Sequence, residues 1–218
     1  MEKEIEIKIV FFFTMVVFCV SCSLSSSKKE IIENKVAVND SVPIVQQEIR
    51  LVEKVAKLFK DNPEYIAKSF DYPVGKPNGK GYYNAQPFGK NLHLGDDWNA
   101  VTGGNSDLGD PIYVIADGYV NFAEDYYSGW GNIIRVWHQK KDGQIVESFY
   151  AHCQEMLVKV GQFVKKGDKI GTIGNVDGTY YAHLHFEIRD DIELPVGGGY
   201  SDDIKGYLNP TSFIKANR

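Results

Sequence analysis

The chain has 218 residues, of which 43% are hydrophobic and 24% are charged, and its formal net charge at pH 7 is −5. The absence of a basic excess excludes nucleic acid and an anionic membrane surface as obvious partners. No internal repeat is evident, so the length favours one main domain with a single core.

The N-terminal residues resemble a bacterial export signal. Residues 9–21 form an uncharged, mostly apolar run, which is shorter than the roughly 20 apolar residues of a membrane-spanning helix. At its end, Val20-Ser21-Cys22 resembles a lipobox, in which a small residue precedes a cysteine that is lipidated after cleavage. We therefore expect removal of residues 1–21 and a lipid on Cys22; plain secretion and a short anchor are the alternatives.

The cysteines limit the disulfide chemistry of the processed chain. Cys19 would leave with the signal and Cys22 would be acylated, so Cys153 would be the remaining thiol. An internal disulfide is then impossible, and stability must come from the core and from a metal.

Residues 22–71 separate the signal from the main domain. Residues 22–43 are rich in Ser, Lys, Glu and Asn without a sustained apolar period, which predicts a flexible tether. In residues 44–71 apolar side chains recur at helical spacing, which predicts a helical segment interrupted near Asn62-Pro63. The pattern leaves open whether this helix caps the domain or contacts a partner, and whether it or residues 82–88 cover a site in a latent form.

Residues 72–218 consist of short β-branched and aromatic runs separated by turn pairs such as Asp-Gly. The runs predict strands over residues 112–116, 119–124, 132–138, 146–152, 169–173 and 183–189. We therefore expect an all-β domain, mainly antiparallel and sandwich-like, preceded by the short helical segment.

The segment 181–189 alternates apolar and polar residues throughout, as a half-buried strand does. Its even-numbered residues would enter the core, whereas His183, His185 and Glu187 would share the opposite face. Neutral imidazole is the commonest protein ligand for transition metals, so two imidazoles on one face make a candidate metal site. The alternative is a pair of solvated surface histidines.

A second candidate segment is His93-Leu-Gly-Asp-Asp97, in which a histidine and a carboxylate lie four residues apart. Gly95 makes a helix unfavourable here. In extended backbone His93, Gly95 and Asp97 fall on one side, and Gly95 leaves room for an ion between its neighbours.

A third segment is Tyr150-Ala-His152, which is also strand-like. Alternation would place Tyr150 and His152 on one face. Four of the five histidines thus lie in or beside strand-like segments. The fifth, His138, precedes a predicted turn and is interpreted as a surface residue.

Taken in order, His93-x-Gly-x-Asp97, Tyr150-Ala-His152 and His183-x-His185 resemble the three motifs of the lysostaphin/LytM-type zinc endopeptidases, which cut peptide cross-links in bacterial cell walls. Turns of similar placement accompany these motifs over residues 90–214. Residues 1–70 lie outside the resemblance.

The resemblance implies a duplicated hybrid motif fold and one Zn²⁺ per chain, with His93, Asp97 and His185 as ligands. It leaves His152 and His183 for catalysis: one would take the proton from the attacking water and the other would stabilise the oxyanion, in an order that is undecided.

The function implied by the resemblance is hydrolysis of peptide bonds in peptidoglycan stem or cross-link peptides. With the signal features, it implies an exported, membrane-anchored lipoprotein of the cell envelope. In an envelope of Gram-negative type, the implied bond is the D-alanyl cross-link to a diamino acid. Whether a regulatory protein binds the chain is left open.

Other functions are compatible with parts of the sequence. A non-catalytic envelope protein that activates another wall hydrolase is one, although loss of a ligand would be expected there and all five site positions are present. Residues 158–173 resemble the hairpin of biotinyl and lipoyl carrier domains, but no modifiable lysine lies at the required turn.

Thiol catalysis by Cys153 with His152 would need a β-bulge, because neighbouring strand residues face opposite ways. We therefore expect Cys153 in the core.

Overall fold

Ten strands and two α-helices form the regular structure of residues 44–218, the part of the chain that the computed structural model describes. Helix α1 is Ile44–Asp61 and helix α2 is Pro210–Asn217. The strands are β1 Tyr82–Gln86, β2 Asp96–Ala100, β3 Pro111–Tyr113, β4 Gly118–Asp125, β5 Asn132–Gln139, β6 Ile145–Met156, β7 Phe163–Val164, β8 Lys169–Ile173, β9 Leu184–Arg189 and β10 Tyr207–Leu208. The expected signal, the lipidated Cys22 and the tether lie outside these residues.

All strand pairs are antiparallel, and they join the ten strands into one sheet. The main path runs β1-β2-β9-β6-β5-β4-β7, with β10 beside β9 and with β8 between β6 and β3. This confirms the expected antiparallel all-β class with a helical segment before the sheet. Among residues 44–218, no helix combines the length and apolar character needed to cross a membrane.

Helix α1 packs against the sheet. Its buried side chains Val55 and Phe59 contact a hydrophobic cluster that includes Ile145 and Ile192. The helix ends at Asp61, next to the predicted interruption. These contacts mean that the helix caps this side of the domain.

Strand β6 occupies the centre of the sheet and changes partners along its length. Up to Ala151 it pairs with β9, and from Cys153 onward it pairs with β8. Between them His152 has a left-handed backbone with φ of 59°, which forms a bulge. The alternation of side chains is therefore interrupted at His152.

The bulge separates side chains that alternation would place together. Tyr150 lies in the main core, where its hydroxyl accepts a hydrogen bond from the backbone N–H of Ile115 at 3.1 Å. His152 instead stacks with Trp130 on the other side of the sheet. The expectation that Tyr150 and His152 share a face is wrong, because the left-handed backbone at His152 interrupts the alternation and places its side chain on the face opposite Tyr150.

Strand β9 is buried on both faces, so the expectation of a half-buried strand is wrong. Leu184, Phe186 and Ile188 lie in the main core as predicted. The opposite face is covered by residues 194–201, which we call the cover loop. Its Val196 lies with Phe149 in a third hydrophobic cluster.

His138 is fully buried, so its interpretation as a surface residue is wrong. It lies in β5 on the same face as Val136. The burial is tolerated because both ring nitrogens have partners: Nδ1 lies 2.9 Å from the carbonyl oxygen of Asp117, and Nε2 lies 2.7 Å from the hydroxyl of Ser148.

Candidate active site

Three side chains, two from adjacent strands and one from the segment before them, converge at one edge of the cover loop. Asp97 in β2 and His185 in β9 are paired cross-strand, and His93 precedes β2. His185 Nδ1 lies 3.0 Å from both Asp97 Oδ1 and His93 Nε2, and His93 Nε2 lies 3.3 Å from Asp97 Oδ1. The three side chains are almost fully buried, so their nitrogen and oxygen atoms face one another rather than bulk water.

Gly95 allows this close approach between the two strands. A Cβ atom at this position would lie 2.6 Å from the backbone oxygen of Phe186 and 3.0 Å from Cε1 of His185. Asp96 then anchors the strand, because its carboxylate accepts hydrogen bonds from Phe88 N and from Thr211 N, both at 3.0 Å. The expected room at Gly95 is therefore taken up by the neighbouring strand and by the imidazole of His185.

Hydrogen bonds orient the two imidazoles of this cluster. Nδ1 of His93 lies 3.1 Å from the carbonyl oxygen of Gln86, and a carbonyl only accepts, so Nδ1 carries the proton and Nε2 faces the cluster. Nε2 of His185 lies 2.9 Å from Oε1 of Glu187, which leaves Nδ1 to face His93 and Asp97.

The cluster is electrostatically coupled. Burial alone lowers the pKa of His185, but its hydrogen bonds to Asp97 and Glu187 outweigh this and raise that pKa to about 9. Burial raises the pKa of Asp97, yet hydrogen bonds from His185 and His93 hold that pKa well below its usual range. Asp97 is therefore a carboxylate at neutral pH.

His152 and His183 form a second pair of imidazoles beside this cluster, with ring centroids 4.7 Å apart. Nδ1 of His152 faces the carbonyl oxygen of Trp130 at 3.2 Å, and Nδ1 of His183 faces that of Tyr181 at 2.8 Å. Each Nδ1 therefore donates, and each Nε2 is left as the nitrogen that can exchange a proton with a ligand.

The surroundings of this pair favour neutral imidazole at His152. Burial, followed by the proximity of His183 and His185, lowers the pKa of His152 to about 3. Beside His183, the backbone of Ala182 is held by two asparagines: Asn99 donates to its carbonyl at 3.1 Å, and Asn105 accepts from its N–H at 2.8 Å. The backbone that precedes His183 is thereby fixed.

Two adjacent cavities of about 430 and 680 Å³ lie at this site, and the smaller one is lined by Asp97, His152, His183 and His185. Both are lined by Gln86, Asp97, Tyr180 and His183. Their other walls are formed by Trp130, Gly198, Gly199 and Tyr200 in the first and by Asn99, Asn105 and Tyr181 in the second. Such a cleft can admit a chain of several residues past the histidines.

The donor set of the cluster fits zinc. Two imidazole nitrogens and one carboxylate oxygen are the ligands of many catalytic zinc sites, in which a fourth position stays open. Bonds of about 2.0–2.2 Å in a tetrahedron separate neighbouring donors by about 3.3–3.6 Å. The three donor atoms here lie 3.0, 3.0 and 3.3 Å apart. They form one group among the described residues that could hold a metal ion.

The structure thus brings together His93, Asp97, His152, His183 and His185, all five site residues expected from the motifs. It places Cys153 apart from them, in the main core, where burial raises the pKa of its thiol to about 12. A bulge is present, but it turns His152 away from the core that holds Cys153. The thiol alternative is therefore unsupported.

Several residues of the site were not expected from the motifs. Trp130 stacks on His152 and donates its Nε1 hydrogen to the carbonyl of Gly197 at 3.0 Å. Gln86 donates to the hydroxyl of Tyr200 at 3.2 Å across the cleft. Trp130 stands between two glycines, a sequence typical of a turn, whereas nothing local marks Gln86 or Tyr200.

Comparison with known proteins gives matches over the same region. The model of peptidase family M23 matches residues 93–196. The lipoprotein NlpD of Yersinia enterocolitica is 42% identical over 81 residues, which are 37% of this chain and 78% of that protein.

Longer relatives match over part of their length. The murein hydrolase activator NlpD of Salmonella dublin is 40% identical over 100 residues, which are 43% of this chain and 25% of that protein. The chain therefore matches about a quarter of the length of this relative. Among solved structures, a zinc containing peptidase from Vibrio cholerae is 28% identical, with 56% of this chain and 37% of that chain covered and a TM-score of 0.46.

Proposed function

Because the chain belongs to peptidase family M23, we propose that it is a zinc-dependent endopeptidase that hydrolyses peptide bonds in the stem and cross-link peptides of peptidoglycan. The observation that carries this proposal is the convergence of a His93–Asp97–His185 cluster and a His152–His183 pair on one cleft. A site that only bound a ligand would not need a pair of proton-exchanging imidazoles beside the metal cluster.

In the proposed enzyme, His93, Asp97 and His185 hold one Zn²⁺. When bound, zinc supplies Lewis-acid chemistry, which polarises the scissile carbonyl and makes the attacking water more acidic. The donors suit this role because His93 Nε2 and His185 Nδ1 are turned inward by their other hydrogen bonds and Asp97 is ionised.

His152 and His183 carry the proton transfers. One ring would take a proton from water at its Nε2 lone pair, and the other, as an imidazolium, would donate from Nε2 to the oxyanion that develops on the scissile carbonyl. The carbonyls of Trp130 and Tyr181 hold the two Nδ1–H groups, which leaves Nε2 of each ring for these roles. The leaving amine then receives a proton from one of the two rings.

The experiment is digestion of purified peptidoglycan by the zinc-loaded protein, with the fragments identified by mass. We expect new amine and carboxyl ends within the peptides, and loss of these products after chelation and their return with added zinc. A wall that stays undigested by folded, zinc-loaded protein would rule out the endopeptidase.

A second candidate function is activation of another wall hydrolase, without catalysis by this chain. The observation that favours it is the 40% identity to a protein named murein hydrolase activator. In this case, the chain would leave the wall intact alone and would accelerate digestion by an added hydrolase. The His152→Ala variant would then stimulate as well as the unmodified chain.

The proposed location is the cell envelope. Residues 1–21 would act as the signal, Cys22 would carry the lipid, and residues 22–43 would tether the domain. The expected helical segment of residues 44–71 is an α-helix only over Ile44–Asp61, and it leads into the proposed peptidase domain of residues 72–218. The match to a lipoprotein of Yersinia enterocolitica supports this assignment.

A further inference from the structure

A buried ion pair lies directly behind the metal cluster, on the same face of β9. Glu187 and Arg189 are both fully buried. Oε2 of Glu187 lies 2.7 Å from Nε and 2.6 Å from Nη2 of Arg189, which is a two-point contact. The other carboxylate oxygen, Oε1, lies 2.9 Å from Nε2 of His185. One carboxylate therefore joins a candidate zinc ligand to a guanidinium.

Arg189 also connects Glu187 to the cover loop through hydrogen bonds. Its Nη1 donates to the carbonyl of Pro195 and its Nη2 to that of Val196, both at 2.9 Å. The guanidinium also lies over the ring of Phe149, 4.4 Å from its centroid. With these donors engaged, Arg189 holds the carboxylate of Glu187 in one position.

We infer that Glu187 is a positioning residue, which fixes His185 with Nδ1 toward the metal position by accepting the Nε2 proton. The inference rests on the proposed zinc function. A carboxylate behind a zinc-bound histidine fixes the tautomer and the ring orientation and makes the ligand nitrogen more basic. The pairing with Arg189 ensures that the group behind His185 is a charged acceptor rather than a donor.

The molecule contains a matched control for this role. Glu147, on neighbouring β6, is also fully buried and lies 2.7 Å from both Nε and Nη2 of Arg135. Arg135 likewise donates to the cover loop, at the carbonyl of Leu194. Glu147 makes no hydrogen bond or ion pair with His185; its Oε2 accepts from Asn121 instead. Loss of either carboxylate breaks a buried ion pair, but only Glu187 adjoins the ring.

The test compares the zinc affinity of full-length wild type, Glu187→Gln and Glu147→Gln by competition with a chromophoric chelator. Glutamine keeps the size of Glu187 but removes its charge and turns an amide NH₂ toward Arg189 or His185. Glu187→Gln should lose about 10- to 100-fold in zinc affinity, the range for removing the partner of a ligating histidine. Glu147→Gln should bind zinc as tightly as wild type.

The outcomes separate this inference from the proposed function. If wild type binds no zinc, the proposed function fails. If wild type binds zinc and Glu187→Gln binds it equally well, or Glu147→Gln loses affinity to the same extent, the positioning role of Glu187 is refuted.

A second measurement needs no variant, so it holds even if Glu187→Gln fails to fold. Long-range ¹H–¹⁵N correlation spectra of the zinc-loaded wild type report which nitrogen of each histidine carries a proton. We expect His185 to be protonated at Nε2 and metal-bound at Nδ1. The reverse arrangement in a zinc-loaded protein would overturn the inference.

Discussion

Asp97 and His185 are cross-strand neighbours: they pair in register between β2 and β9, with Asp97 Oδ1 3.0 Å from His185 Nδ1. Backbone hydrogen bonds of the sheet therefore set the spacing of two of the three candidate ligands. A site built in this way is preformed, and side-chain substitutions within it are expected to change its chemistry more than the fold.

Substitutions in the cluster and in the histidine pair should have different effects. Alanine at His93, Asp97 or His185 is expected to remove zinc and turnover together. Alanine at His152 or His183 should leave close to one zinc per chain, while turnover falls about 100-fold or more, the range for losing a general acid–base group or an oxyanion donor. Metal content by atomic emission and wall digestion check this on variants shown to be folded by circular dichroism.

The result that would contradict this prediction comes from comparing His183→Ala with His185→Ala. If His183→Ala emptied the metal site and His185→Ala stayed loaded, the proposed ligand assignment would be reversed.

Gly95→Ala should weaken zinc binding without removing any ligand. The added methyl group would meet the backbone oxygen of Phe186 at 2.6 Å and Cε1 of His185 at 3.0 Å, so the strands must separate or the ring must turn. Gly198→Ala is the control, because a Cβ at Gly198 meets nothing within 4 Å. Chelator competition measures both variants, and unchanged affinity in Gly95→Ala would mean that the site adapts.

Acid should destabilise the protein partly through His138. Burial lowers the pKa of His138 to about 4, from an ordinary value of 6.5. Between these values the unfolded chain binds more protons than the folded one, so the stability is complete above pH 6.5 and falls as the pH drops toward 4. The loss from this residue is at most about 3 kcal/mol.

His138→Asn removes the titrating group and so tests the contribution of His138 to the pH dependence of stability. The Asn amide can still donate toward the carbonyl of Asp117. Urea unfolding at several pH values from 7.5 to 4.5 should show a shallower decline for the variant than for wild type. Parallel declines would show that His138 does not titrate in this way.

Cys153→Ala should keep most of the proposed activity. The thiol lies in the main core with its pKa raised by burial, so its loss should cost about 1–2 kcal/mol in the free energy of unfolding and leave the site intact. Denaturant unfolding and wall digestion are the measurements. A folded, zinc-loaded variant without turnover would revive a thiol mechanism.

Cys22→Ser should abolish acylation, alter processing and shift the protein away from the detergent phase. The reason is that the expected lipid is attached to the cysteine of Val20-Ser21-Cys22. Incorporation of labelled fatty acid measures it. Label that persists in Cys22→Ser, or that is absent from the unmodified chain, contradicts the lipoprotein assignment.

Local periodicity was sufficient to predict the elements on which the candidate site is built. The alternation in residues 183–189 anticipated β9, with Leu184 and Phe186 in the core and His185 beside Glu187 on the other face. The spacing of His93, Gly95 and Asp97 anticipated an extended segment, because period two alone determines which side chains share a side.

Contacts distant in sequence were not predictable in the same way. The burial of His185 and Glu187 depends on the cover loop, about ten residues further along the chain, which carries no periodic signal. The bulge at His152 has φ of 59° at a residue that is not glycine, so no residue type marks it. His138 was misplaced because its burial requires the hydroxyl of Ser148 on the neighbouring strand.

The bulge at His152 also determines where the chain can change in length. One residue added or removed between Glu147 and Tyr150 would shift both Tyr150 and His152 to the opposite face, because each step along a strand changes the face. The turn before β6 has no such restriction, since residues 141–144 are all exposed and lie outside the paired strands. A tag or a foreign loop is therefore best grafted at Gly143, seven residues before Tyr150 in the sequence.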